Sequence, residues 1–188
     1  WWRGDASVLE SFDAVTSGDP FPAEWLIDEN TIVINAKDAK ATLSPFLRAE
    51  LALALAQVLD DQQFHFAERV AQAETSQRYQ VLLAVAVGHS LWVHDRYIDH
   101  LNADDSESYY DELDRREGDY ADQVSNVPLA YRAMRGAGQQ LGPTFIEALT
   151  QTDRTMLTAA MSTDLPDALD QVALPTGKYV TRDPLEPV

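Results

Sequence analysis

Apolar residues along this chain fall into two long helical stretches, one short β-branched run and several weaker segments. The run NTIVINAK, residues 30–37, clusters Ile32, Val33 and Ile34 and reads as the one convincing strand. Ser44-Pro45 has the form of an N-cap followed by a first helical position. Beyond it Leu47, Leu51, Leu55, Val58 and Leu59, then Phe66 and Val70, recur at the i, i+4, i+7 spacing of a core-facing helix stripe. A second helix is expected over residues 76–101. It is apolar on nearly every side from 81 to 93, which puts it at the centre of the domain. Weaker helical stretches follow near 127–141, 143–151 and 153–162, and Pro166, Pro175, Pro184 and Pro187 punctuate the rest. Upstream, residues 17–24 are turn-forming, and 6–16 reads as a short helix capped by Asp5. The pattern predicts one mainly helical (α+β) domain with a small β element near its start.

Composition narrows the partners. The chain has 188 residues, with 14 Lys and Arg against 31 Asp and Glu, a formal net charge of −17. Nucleic-acid phosphates and anionic lipid would be repelled, so neither is expected as a direct partner. Cysteine is absent, which excludes disulfides and thiolate metal sites. No run is long and apolar enough to span a bilayer, and the richest, 81–87, breaks at Gly88-His89. The opening Trp1-Trp2-Arg3 resembles residues just past a membrane span, where indoles sit at the interface. A membrane anchor is therefore expected before residue 1, with 1–29 a membrane-proximal segment and 30–188 the functional domain on the extracytoplasmic side.

Four blocks carry a family resemblance. In LALALAQVLDDQQFHF, residues 51–66, the polar DDQQF is similar to the end of the H-E-x-x-H-A-L-Q-D-Q-H-F signature of a bacterial zincin-like metallopeptidase group. LLAVAVGHSLWVHDRY, 82–97, resembles that family's A-L-V-E-G-D-A segment and the Tyr after it. GPTFIEAL, 142–149, and LPDALDQVALPTGKY, 165–179, resemble its G-x-x-F-V-x-x-L and P-x-T-x-E-Q-I-L-H-P-x-K-Y. Together they imply a zincin-like helical core. Zinc in such a site needs two His one turn apart, a third ligand from the next helix and a Glu as base. Aligned on DDQQF, the two His fall on Leu53 and Gln57, the Glu on Ala54, the third ligand on Val87 and a tail His on Leu174. A register one turn earlier recovers Glu50 as the base but puts Ala49 and Leu53 at the imidazole positions. Aliphatic side chains hold no divalent ion. The resemblance thus implies a degenerate, inactive peptidase with no metal and no cofactor.

Such a chain keeps a cleft and loses cleavage, which leaves recognition. The expected function is a protein-binding regulator that grips a helical or coiled-coil segment, with a cell-wall (peptidoglycan) hydrolase of a Gram-positive envelope as the suggested client. The expected groove comprises Leu53, Ala54, Gln57, Val87 and His94, with Glu50 and Tyr97 at its rim. Residues 104–122 hold nine acidic residues and two Arg and read as a solvated face. Tyr109, Tyr110, Asp111 and Glu112 within it form the alternative partner surface. Two other readings remain. One is an active hydrolase with a rebuilt metal site using His89 and His94, although five residues apart on a helix they diverge. The other is a dimerising structural domain. His65, His89, His94 and His100 otherwise read as surface or capping residues.

Overall fold

Ser44 starts the first long helix as expected: its Oγ accepts a hydrogen bond from the Leu47 amide at 3.2 Å, and Pro45 takes the first turn, where no amide donor is needed. The computed structural model describes residues 22–26, 31–35, 42–123, 129–152 and 154–173. The expected helix over 6–16, the Trp1-Trp2-Arg3 start, Leu174 and the prolines beyond it lie outside these residues.

In chain order the elements are β1 (Ala23–Leu26), β2 (Thr31–Ile34), α1 (Pro45–Phe64), α2 (Phe66–Ala71), α3 (Ser76–Ile98), α4 (Ala103–Gln123), α5 (Leu129–Thr152), α6 (Arg154–Met161) and α7 (Leu169–Ala173). The architecture is mainly helical with a two-stranded antiparallel sheet, registered Ala23 to Ile34 and Leu26 to Thr31. β1 corrects the sequence reading, which assigned residues 17–24 to turns and the only strand to 30–37. Local turn propensity yields here to pairing with β2 and packing on α1, and the Asn35 amide bonding to Pro22 O at 2.8 Å closes the ladder.

α3 is the central helix, as its all-round apolarity predicts. It packs against α1 and α2 and, most extensively, against α5. The main core joins Val81, Leu82, Ala84 and Val85 of α3 to Phe145, Ile146 and Leu149 of α5, with Phe66, Met161, Leu165 and Val172 closing it. α3 and α5 meet backbone to backbone at Gly88 and Gly142. A Cβ on Gly88 would lie 2.5 Å from the Gly142 carbonyl carbon, so both positions exclude any side chain. The two stretches expected at 127–141 and 143–151 are one helix, α5, which runs through Pro143. A proline inside a helix costs about 3 kcal/mol; burying Phe145, Ile146 and Leu149 completely against α3 offsets it.

On α1 the expected stripe is wrong on one side. Leu55 and Leu59 are 52% and 61% exposed, while Phe46, Leu47, Ala49, Glu50, Ala54, Ala56 and Asp60 are buried. Helix faces that approach closely favour small side chains, so the packed face of α1 holds alanines and the bulky leucines stand outside it. The polar block that ends this helix holds structural residues at Asp61 and Phe64. Asp61 Oδ1 accepts from the Ala67 amide at 2.7 Å and caps α2, and Phe64 packs on the core. Among the described residues no helix is long and apolar enough to cross a membrane.

Candidate functional site

α1 and α3 lie antiparallel, because Glu50 meets His94 while Asp60, farther along α1, meets the earlier His89. Two carboxylate–imidazole pairs therefore pin the interface. Asp60 Oδ2 lies 2.6 Å from His89 Nδ1 in a largely buried contact, and the His89 ring stacks on Trp92 at 6.0 Å. Glu50 Oε1 lies 3.4 Å from His94 Nε2, both nearly buried, and Nε2 makes no aligned hydrogen bond there. A buried charge without a partner is costly, so each pair requires both of its members.

Beside the Asp60–His89 pair, on the side away from Glu50 and His94, Gln57, Asp60 and Val87 line a small cleft of about 170 Å³ together with Trp25, Phe66, Val70 and Leu83. Gln57 and Val87 are two of the positions that the resemblance assigns to metal ligands, brought together from two helices. Leu53 is half-buried and Ala54 fully buried. The other nominated residues lie elsewhere. Glu50, expected at a rim, is buried with His94, and Tyr97 packs on the separate cluster of Phe46, Ala49 and Tyr109. The reason is helical rise: Glu50 and Gln57 are two turns apart, about 10 Å along the axis, so one small groove cannot hold both. Of the seven residues only Gln57 and Val87 share the cleft, and Glu50 and His94 pair apart from it.

His65 and His100 are capping residues, as the sequence suggests. His65 ends α1 in the left-handed region at φ 55°, its amide donating to Asp61 O, and His100 Nδ1 lies 2.7 Å from Arg96 O. His89 and His94 correct the surface reading, since both are committed to carboxylates on α1. They also point about 140° apart around α3. Among the described residues no three His, Asp or Glu side chains converge in a way that could hold a metal ion. The sequence reading missed Asp60, which lines the cleft and anchors His89. Its position three residues after Gln57, on the same helix face, is the signal that could have found it.

The alternative surface at 109–112 also divides. Tyr109 is 3% exposed, stacked on Phe46 at 5.4 Å and edge-on to Tyr110. Burial first, and then the charge of Glu50, push its hydroxyl well above the ordinary tyrosine range. It belongs to the core and cannot meet a partner. Tyr110 and Asp111 face solvent, whereas Glu112 is half-buried and bridged to Arg115 and Arg116 at 2.6 Å each. Hydrogen bonding from Arg115, joined by Arg116, holds the Glu112 carboxyl down at about 2. Comparison with known proteins found no matching family model, curated protein or solved structure.

Proposed function

We propose that this chain is a degenerate zincin-like domain that acts as a non-catalytic, protein-binding regulator on the extracytoplasmic face of the membrane. One observation carries the reading: Gln57 and Val87, from separate helices, converge on the wall of one cleft whose other walls are chiefly Trp25, Phe66, Val70 and Leu83. The oxygen donors in this lining are Gln57 and Asp60, and Asp60 is held by His89, so the site suits an aliphatic side chain of a partner better than a metal ion. The approach of Gly88 to Gly142 supports the same reading, because it joins two of the four blocks that carry the resemblance. The cleft would take one or two apolar knobs from a helical segment laid across α1 and α3. A cell-wall hydrolase controlled through such a segment fits the expected setting, and the net charge of −17 favours partners of opposite sign.

Photocrosslinking in native envelopes tests this, with the reactive residue at the exposed Gln63, three residues beyond the cleft-lining Asp60 on α1. The proposal expects one protein to be captured through a helical segment. It also expects Val87→Arg, which blocks the cleft, to abolish capture while the circular dichroism spectrum stays unchanged. Undiminished capture of the same protein by a folded Val87→Arg variant overturns the proposal. Ala54 is unsuitable for this test, because a charged side chain at a fully buried position would unfold the domain.

A further inference from the structure

We infer that a second cleft, between α3 and α5, binds a basic peptide segment through its Arg or Lys side chains. The cleft has a volume of about 680 Å³ and lies at the C-terminal turn of α3. Trp92, Asp95 and Arg96 of α3, the Asp99 that caps it, Glu147 of α5 and Tyr110 of α4 carry its chemistry. Three carboxylates thus face one guanidinium, on two aromatic platforms, within a chain of net charge −17. The last carbonyls of α3 add partial negative charge at the same end.

Arg96 shows the mode of recognition. Its guanidinium lies over the Trp92 ring at 5.4 Å and pairs with Glu147 at 3.1 Å. Trp92 Nε1 donates to the same carboxylate at 2.6 Å, and Gln151 donates at 2.9 Å. Hydrogen bonds from Gln151 and Trp92 hold the Glu147 carboxyl below its ordinary range. One half of the cleft is thereby built around a stacked, carboxylate-bound guanidinium. The other half carries Tyr110, 51% exposed, and the exposed Asp95 and Asp99, whose present ion pairs are long: His94 Nδ1 stands 3.6 Å from Asp95 and Arg96 Nη1 3.7 Å from Asp99. A second cation would stack on Tyr110 and reach both aspartates, an arrangement that favours a planar guanidinium. The inference shares with the proposed function only the premise that this chain binds protein. None of these residues lines the Gln57–Val87 cleft, so Val87→Arg leaves this site intact.

The test is a nitrogen-15 NMR titration of the full chain with tetra-arginine, with tetra-glutamate as the negative control. The inference expects saturable shifts centred on the Trp92 indole and on residues 95–99 and 110, and none with tetra-glutamate. Asp95→Asn with Asp99→Asn should weaken binding roughly tenfold, and Tyr110→Ala roughly threefold, as expected for charge pairing and cation–π stacking at a partly exposed site. Glu68→Gln with Glu74→Gln removes the same charge from exposed positions outside the cleft and should change affinity less than twofold, within general screening effects. All of these substitutions are at exposed positions, and unchanged helical circular dichroism verifies each variant. The inference is overturned if the Glu68/Glu74 variant weakens binding equally, if the shifts centre on Asp104, Glu107 and Asp111, or if binding does not saturate.

Discussion

Gly88→Ala isolates the contact on which the fold's central packing depends. An alanine Cβ there would stand 2.5 Å from Gly142 C and 2.6 Å from its Cα, against backbone that cannot rotate away. Ordinary contact between such carbons is about 3.5 Å, so α3 and α5 must part by about 1 Å. That separation loosens the buried layer of Val85, Phe145, Ile146 and Leu149. Overpacking of this kind costs about 1–3 kcal/mol, and a rigid backbone neighbour puts it near the top of that range. Replacing a mid-helix glycine by alanine returns about 1 kcal/mol of helix propensity. Steric cost wins, and the expected net loss is about 2 kcal/mol. Followed by circular dichroism, this should lower the urea midpoint by about 1 M for a chain of this size. Gly118→Ala is the matched control, since a Cβ there meets nothing within 4 Å. It should raise stability by about 0.5–1 kcal/mol through propensity alone. If Gly88→Ala stabilises as Gly118→Ala does, the close helix crossing does not exist as described.

Three further outcomes follow from particular contacts. His65→Gly should gain about 1 kcal/mol in urea titration, because His65 occupies the left-handed region at φ 55° that glycine adopts without Cβ strain. Arg69→Lys should lose about 1–2 kcal/mol: Arg69 donates to Met161 O at 2.6 Å, Phe64 O at 3.3 Å and Ser162 O at 3.2 Å, and an ammonium cannot span that fork. Glu112, held at about 2 by Arg115 and Arg116, makes stability pH-dependent with a definite sign. The unfolded chain binds the proton more tightly, so the contribution is complete above an ordinary carboxyl value of about 4.3 and fades as pH falls toward 2. Glu112→Gln should therefore lose about 1 kcal/mol at pH 7 and show a smaller difference from wild type at pH 2.5, measured by thermal unfolding at both pH values.

The central helix α3 was legible because apolarity on every side has one physical use, burial from all directions. The start of α1 was equally plain, since Ser44-Pro45 is a local chemical signal. The packed face of α1 was hidden because periodicity weighs large leucines, while the interface selected alanines and left Leu55 and Leu59 outside. β1 was hidden because its pairing with β2 is tertiary, and a turn-rich flank masked it. At the site, the sequence suggested Gln57 and Val87 as neighbours, and the structure brings them onto one cleft. It did not reveal the pairs Asp60–His89 and Glu50–His94, because an i to i+29 or i to i+44 contact leaves no trace in local pattern. It also grouped Glu50 and Tyr97 with a groove that helical rise places out of their reach.

The central claim is that the Gln57–Val87 cleft grips a partner and holds no ion. Metal content of the purified chain, measured by inductively coupled plasma mass spectrometry after dialysis against zinc and then against metal-free buffer, tests it most directly. The account predicts far less than one zinc per chain, unchanged by His89→Ala or His94→Ala. One equivalent of retained zinc that either substitution removes would contradict it.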